Sequence, residues 1–326
     1  MRAEILVVGA GASGLACARR ITEAGGSCVV LDRGRRPGGR ASSRRLEDGR
    51  FVDLGVPFFR LSDPESEAFM APWHTSGALQ PWPGRVVDFR GDEATPRDPA
   101  RDRRWTGAPT MGALLAAMAE GLHVVQERTV VVARHKGRDW AIQLEGGGEV
   151  TCKALVLAMP LTQARRLVAD PPGPAGATDA CMMLAVDFAA PSGLVEPDVS
   201  TPEEAEAWLF HGDPLLAALI RRPGRPSVVH ASDAWSRPRL STPTEHWTRD
   251  LATEVGRRFG TEVRAVHAHR WSFARPREPL EGLMGWDDER HLGICGDAWV
   301  GPDGRFEGAV LSGLAAARRA LRALQG

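Results

Sequence analysis

The chain has 326 residues, 43% of them apolar, and its 41 basic side chains are balanced by 41 acidic ones. That length exceeds the ~100 to 200 residues of an ordinary domain and predicts one large or two intertwined domains with a sizeable core. The neutral balance removes the general electrostatic reason to expect a nucleic-acid or anionic-membrane partner, and no apolar run approaches the ~20 residues of a membrane span.

Residues 4–10, EILVVGA, are a continuous apolar run ending in glycine, the pattern of a strand buried on both faces. The next stretch places Leu15, Ala18 and Ile21 at helical spacing and stops at Gly25-Gly26. SCVVLD (27–32) then reads as a second buried strand. This is a βαβ unit of about the expected ~30 residues. Arg2, the apolar run and LACA at 15–18 imitate a secretory signal, but Glu4 and three glycines interrupt it, so no signal is expected.

From 61 to 105 the pattern breaks up among prolines and tryptophans, and the polar stretch at 90–104, RGDEATPRDPARDRR, is expected to be an exposed loop. A helix is predicted over 110–122, followed by short strands joined by glycine turns, the last of them ALVLAMP (154–160). Pro and Gly crowd 171–176 and mark a boundary. Beyond it, strands are expected at MMLAVDF (182–188), SVVHAS (227–232) and VRAVHAHRWSF (263–273), with a helix near 244–259. LGICGDA (292–298) reads as a final buried strand and 308–324 as a final helix. No internal repeat or low-complexity tract is visible. The nucleotide-binding pieces are thus expected at 1–60, 106–170 and 283–326, with a substrate domain built from 61–105 and 171–282.

Gly9-x-Gly11-x-x-Gly14 lies between a predicted strand and a predicted helix, and Asp32 ends the next strand. Gly9 allows the tight turn, Gly11 lets backbone approach a diphosphate, Gly14 permits close helix packing, and Asp32 can accept from a ribose hydroxyl. The acid favours a free 2'-hydroxyl over a 2'-phosphate. FAD and NAD share this fingerprint. The following DRGRRPGGRASSRR (32–45) could bring the Gly38-Gly39 backbone and the Arg40 guanidinium to the same diphosphate, or be an arginine-rich surface loop.

The G-G-R segment after the acid, DLG at 53–55, Gly296-Asp297 and EGAVLSG at 307–313 together resemble the FAD-dependent amine-oxidase superfamily. GGRASSRR, RWTGAPTMGAL (104–114), VVHASDAWS (228–236), HRWSFARP (269–276) and GRFEGAVLSG (304–313) resemble its renalase-like branch, especially the bacterial members. The resemblance implies an α/β (α+β) fold of the amine-oxidase and p-hydroxybenzoate-hydroxylase type: a Rossmann-like FAD-binding domain interleaved with a mixed-sheet substrate domain. It implies noncovalent FAD, since no cysteine lies where covalent members attach it. The expected cofactor residues are Gly9, Gly11, Ala12, Ser13, Gly14, Asp32, Arg33, Gly39, Arg40, Val130, Gly296, Asp297, Glu307, Gly308 and Ala309. Gly296-Asp297 would lie beside the ribityl and diphosphate. The last helix would point its N-terminus, worth about +0.5 charge, at the flavin's pyrimidine edge.

Two absences narrow the chemistry: the chain has no tyrosine, and its only lysines are Lys136 and Lys153. Many amine oxidases of the superfamily use a lysine near flavin N5 and two tyrosines around the amine. Lys136 is expected in a hairpin turn and Lys153 at the start of a strand, which disfavours an ordinary amine oxidase, although Trp or Phe can build an aromatic cage. Renalase-like enzymes, by the resemblance, oxidise 2- or 6-dihydro isomers of NAD(P) by hydride transfer to flavin and pass the electrons to dioxygen, releasing hydrogen peroxide. Positioning then matters more than acid–base catalysis. One departure is local: relatives carry Gln and an aromatic after DLGA, whereas this chain reads Val56-Pro57-Phe58.

The catalytic candidates from the matching segments are Phe58, His230, Trp235 and Trp271, with Trp82, His269 and Trp299 as further substrate-facing residues and Arg60, Arg85 and Arg270 for substrate phosphates. His267 and His269 share a strand face but lack a third ligand, so no metal is expected. The absence of G-x-S-x-G removes a serine hydrolase. Five scattered cysteines fit a reducing, cytoplasmic setting better than a disulfide framework. The competing readings are an amine or cyclic-imine oxidase or dehydrogenase of secondary metabolism, and a flavoprotein retained as a binding module without turnover.

Overall fold

The computed structural model describes residues 1–174, 176–189, 204–299 and 305–325. At the centre of its first sheet lies β1 (Arg2–Val8), paired in parallel with β2 (Cys28–Leu31) on one side and with Glu149–Leu157 on the other. The short strand Val124–Val125 adds in parallel beyond β2, and Leu292–Ile294 adds in parallel beyond Glu149–Leu157. The continuous apolar run of β1 serves two cores at once. Ile5 and Val7 face one, shared with α1 (Ala12–Glu23) and the terminal helix Arg305–Ala323, while Leu6 and Val8 face the other. This two-fold alternation is what a strand covered on both faces requires.

Glu149–Leu157 has two partners along one edge: residues 149–152 pair with antiparallel Asp139–Leu144, and residues 155–157 with Leu292–Ile294. The meander of short strands is thereby tied into the nucleotide sheet. The two ends of the chain meet here as well. A Cβ on Gly313 would lie 2.1 Å from the Ser13 carbonyl oxygen, so the terminal helix and α1 pack at backbone contact.

The second sheet has seven strands in the order Val263–Pro276, Thr178–Phe188, Ser227–Ala231, Leu216–Arg221, Glu206–Phe210, Arg85–Arg90 and Glu93–Pro96. Met182, Leu184 and Val186 point under the helix Thr244–Phe259 with Trp247, Leu251 and Val255. Met183 and Ala185 point the other way, onto Val52, Leu54 and Phe58. The apolar run at 182–186 is thus another strand covered on both faces, here by a helix and by the segment that leaves the glycine-rich loops.

The structure amends the reading of 61–105. Instead of one irregular stretch there is a helix, Pro64–Thr75, capped by the Asp63 side chain, and a hairpin, Arg85–Arg90 with Glu93–Pro96, at the edge of the second sheet. The helix carries Phe69, Met70 and Trp73 into the same core as Ile5 and Val7, so it packs with the nucleotide domain rather than with the sheet. Of the polar stretch 90–104, residues 97–104 remain loop beyond the hairpin, pinned by Asp102, which pairs with Arg60, Arg97 and Arg104. The strands Glu206–Phe210 and Leu216–Arg221 are not evident from sequence; the expected strands near 182, 227 and 263 and the helix at 244–259 are present.

Candidate cofactor and substrate site

The first glycine loop has the shape its spacing predicts. A Cβ on Gly14 would lie 1.9 Å from the Gly9 carbonyl oxygen, whereas one on Gly11 would meet nothing within 4 Å. Gly14 is therefore closed by packing, and Gly11 borders open space. Gly39 stands across that space: its added Cβ would lie 3.5 Å from the Gly11 Cα. No side chain caps α1 at Gly11, so the N–H groups at Ala12 and Ser13 face outward at the positive end of the helix. Two bare glycine backbones and an uncapped helix start form a cradle suited to a diphosphate.

Asp32 closes the cradle from the side. Its Oδ2 accepts from Ala10 N and its Oδ1 from Gly34 N, both at 2.6 Å. The carboxylate thus locks the glycine loop to the turn after β2 and keeps lone pairs for a ribose hydroxyl. Arg128 N donates to Asp32 O at 2.9 Å, which brings the start of the strand Val130–Lys136 beside it. The Val130 side chain itself is 7% exposed and belongs to the core, which leaves only its backbone for a ligand. Arg33 is exposed.

Arg40 does not stand free beside the cradle. Its Nη1 donates to Asp297 Oδ2 at 2.8 Å and its Nη2 to Asp297 Oδ1 at 2.6 Å, with a further bond from Nη1 to Ala274 O at 3.1 Å. One guanidinium therefore holds together the early loop, the Gly-Asp turn and the end of the strand Val263–Pro276. Gly296 N is fixed by Ser312 Oγ at 3.0 Å.

Glu307, expected among the cofactor residues, is engaged within the protein. Its carboxylate accepts from Ser62 N, Ser62 Oγ, Asp63 N and Ser66 Oγ, at 2.6 to 2.8 Å, and it is buried. It holds the start of the helix Pro64–Thr75, with three of these bonds on Oε1 and one on Oε2. These hydrogen bonds hold its carboxyl below the usual range against the opposing effect of burial. Gly308 and Ala309 are buried in the first turn of the terminal helix. Residues 300–304, which include part of the expected glycine-rich turn, lie outside the described residues.

Asp53–Val56 joins the cofactor loops to the substrate sheet. Leu54 N donates to Ser42 O and Val56 N to Arg40 O, and a Cβ on Gly55 would sit 2.1 Å from Arg40 O. From the sheet, Trp271 Nε1 donates to Leu54 O at 2.9 Å. His230 hydrogen-bonds the same Leu54 backbone, and its Nε2 is buried with no partner. Burial pushes His230 down to about 4, outweighing that hydrogen bond. His269 packs on Trp271 with ring centroids 4.1 Å apart. Its pKa falls to about 4 through burial first, then through the positive charge of His267, Arg44 and Arg33. Met183 pairs with both His230 and His269, so the three side chains form a row on the face that meets Leu54. Phe58 joins this cluster, its ring 4.9 Å from Trp82 and under the Arg104 guanidinium.

Trp235 is elsewhere. A short helix, Asp233–Ser236, carries it to the opposite face of the sheet, where its Nε1 donates to Glu254 Oε1 at 3.1 Å beneath Arg239. It is a core residue, and so is Trp299, which packs in the nucleotide domain against Gly173 and Gly285. Of the expected phosphate arginines, Arg60 pairs with Asp102, Arg85 is exposed, and Arg270 points toward the 244–259 helix, donating to Thr242 O. The arginines at the site are Arg222 and Arg225. Arg222 donates to Asp53 Oδ2 at 2.8 Å and to Pro57 O at 2.7 Å, and it lies over Trp82. The signal available in sequence was RRPGRP (221–226), a turn that plants arginines at a strand end. Among the described residues no three His, Cys, Asp or Glu side chains converge as a metal site, and no helix is long and apolar enough to cross a membrane.

Comparison with known proteins agrees with this architecture. Residues 7–73 match the family described as NAD(P)-binding Rossmann-like domain. Among solved structures, a putrescine oxidase double mutant from a redesign of cofactor binding is similar at a TM-score of 0.68, with 14% identity and 99% of each chain covered. A flavoprotein/dehydrogenase from Cytophaga hutchinsonii has a TM-score of 0.62 and 15% identity over 100% of this chain and 79% of that one. A CLA-producing fatty acid isomerase from P. acnes has a TM-score of 0.66 and 11% identity over 94% and 97%. The chain is a mixed α/β protein with a Rossmann-like nucleotide domain. The fold it shares supports an oxidase, a dehydrogenase and an isomerase, so the reaction must be argued from the site.

Proposed function

We propose that the chain is an oxidoreductase that holds FAD noncovalently and oxidises small-molecule hydride donors, namely dihydronicotinamide dinucleotides reduced at ring position 2 or 6, with dioxygen as final acceptor and hydrogen peroxide as product. The supporting observation for the cofactor is the cradle of Gly11, Gly39 and the uncapped α1, tied to Gly296-Asp297 through Arg40. The residues present fit the group: N–H donors for the diphosphate, Asp32 for a ribose hydroxyl, and Asp297 for the ribityl chain. When bound, FAD supplies a hydride acceptor that dioxygen can reoxidise. Cys295, the thiol nearest the Gly-Asp turn in sequence, is fully buried and pushed up to about 12, which suits noncovalent attachment.

The substrate reading rests on the sheet face at Leu54. His230 and His269 are both held neutral at pH 7, beside Trp271. Lys136 and Lys153 are exposed on the nucleotide domain, Lys153 beside Glu4 at 3.5 Å. A dihydropyridine becomes aromatic as it loses hydride and needs no proton removed, whereas an ammonium must first be deprotonated. Neutral imidazoles and an indole suit the dihydropyridine, because they can stack on it, orient it and exclude water. Their place where the sheet meets the Leu54 segment supports a substrate role for this face.

The reading is tested by anaerobic mixing of the purified yellow protein with the 2- and 6-dihydro forms of NAD. Rapid loss of the flavin absorbance, and peroxide on readmitting air, are expected. A flavin that stays oxidised with these donors but bleaches with an amine would transfer the assignment to amine oxidation. A protein that takes up no FAD would remove both readings.

A further inference from the structure

A small recess lies between the substrate sheet and the hairpin of Ser43–Arg45 with Phe51–Asp53, which leads into Gly55. Its volume is about 20 Å³, and its walls include Asp53, Gly55, Pro57, Arg222, Arg225 and His230. A water needs ~10 to 15 Å³, so the recess admits one water or the polar tip of a larger molecule. Phe51, 37% exposed, stands beside it, so the body of such a molecule would extend outward along Phe51.

The donors around the recess outnumber the acceptors. Asp53 is the only carboxylate among its walls. Its Oδ1 is taken by Ser43 Oγ and Met111 N, and its Oδ2 by Arg222 Nη1 at 2.8 Å. Arg225 Nη2 donates to Pro109 O, but its Nη1 is 3.7 Å from Asp53 Oδ2 and makes no hydrogen bond, although it is buried. His230 Nε2 is likewise buried without a partner. Asp53 is thus shared, hydrogen-bonded to Arg222 and only within ion-pair distance of Arg225, so two guanidinium groups face one carboxylate and the net charge is +1 with His230 neutral. A buried guanidinium N–H with no acceptor is costly, and an acceptor-only anion with planar geometry answers it directly.

We propose that this recess is a subsite for a carboxylate carried by a small planar ligand, with Arg225 as its charged partner and His230 as its neutral one. It selects carboxylate over carboxamide and excludes ammonium. The subsite stands on its own donors and does not depend on which hydride donor the flavin accepts.

The experiment is calorimetric titration of the protein as isolated with nicotinate, with nicotinamide and with benzylamine. Because it reads heat of binding, it distinguishes a failed subsite from a failed flavin assignment. Nicotinate is expected to bind at least tenfold more tightly than nicotinamide, with no binding of benzylamine. Arg225→Met should weaken nicotinate at least tenfold while Arg225→Lys restores most of the affinity, and His230→Gln should weaken it less. Thermal melts of each variant establish that it is folded. Equal affinity for nicotinate and nicotinamide, no nicotinate binding at all, or a folded Arg225→Met protein that binds nicotinate as well as the parent would each overturn the proposal.

Discussion

Arg40 and Asp297, 257 residues apart, form a two-point ion pair in which each guanidinium nitrogen meets its own carboxylate oxygen. Their side chains are 25% and 14% exposed, so neither charge is well hydrated without the other. The pair fixes the G-G-R loop against the Gly-Asp turn, the two segments from which FAD would be held.

Asp297→Asn should therefore act on cofactor affinity more than on folding. It leaves one guanidinium nitrogen facing an amide N–H₂, and hydrogen bonds to charged groups are worth about 1.5–3 kcal/mol. A weakening of FAD binding by roughly ten- to a hundredfold is expected in titrations of the apoprotein by flavin fluorescence quenching. Arg40→Lys should lose a similar amount, because an ammonium cannot span both oxygens.

Gly55→Ala should destabilise the whole protein. The new methyl group would sit 2.1 Å from the Arg40 carbonyl oxygen, a backbone atom that cannot swing away. A loss of about 2–4 kcal/mol is expected by denaturant titration. An unchanged midpoint would show that the Arg40 and Gly55 backbones are not in contact.

Glu307→Ala should lower the melting temperature and leave FAD affinity within a few-fold of the parent. It strips Ser62 N, Ser62 Oγ and Asp63 N of this acceptor at the start of the Pro64–Thr75 helix, while Ser66 Oγ keeps Asp63 O, a cost of about 2–4 kcal/mol. If FAD binding fell and stability held, the carboxylate would have to face the cofactor instead.

Stability should decline as pH falls below neutrality. His230 is near 4 when folded against an ordinary 6.5, so between these values the unfolded chain binds the extra proton. The full contribution is present above 6.5, is lost progressively as pH drops, and is exhausted below 4. By pH 5 the loss from His230 is about 2 kcal/mol, with His269 adding in the same direction. Urea midpoints at pH 7.5 and pH 5 would show it, and His230→Gln should flatten the dependence.

Trp271→Phe should change turnover with dihydronicotinamides while leaving the fold intact, because it removes the Nε1 bond that positions Leu54. Trp235→Phe should affect stability alone, since its indole lies on the other side of the sheet. Rapid-mixing rates of flavin reduction beside thermal melts would separate the two.

The nucleotide domain is legible in sequence because its signals are local: strand, glycine turn, helix and acid follow one another within thirty-odd residues. Gly11, Gly39 and Asp32 can be named from spacing. The pairing of Arg40 with Asp297 cannot, since nothing along the chain says that two suitable charges will face each other rather than a ligand. The bonds from Ser62, Asp63 and Ser66 to Glu307 are hidden for the same reason. The helix Pro64–Thr75 is hidden because Pro72 lies inside it and its apolar residues make no clear stripe. Leu216–Arg221 is a run of Leu, Ala and Ile that favours helix as readily as strand; its neighbours in the sheet decide. Trp235 and Trp271 look alike in sequence, and only a helical turn after the strand Ser227–Ala231 sends one to each face.

The scarcity of lysine has a practical side. Lys153 lies beside Glu4 and Lys136 closes the hairpin with Asp139, so the two lysines gather where the nucleotide-sheet strand β1 begins. The glycine cradle is at the opposite end of that strand. Coupling through these lysine side chains to a sensor surface would anchor the molecules in a common orientation, with the glycine cradle turned toward the flowing solution.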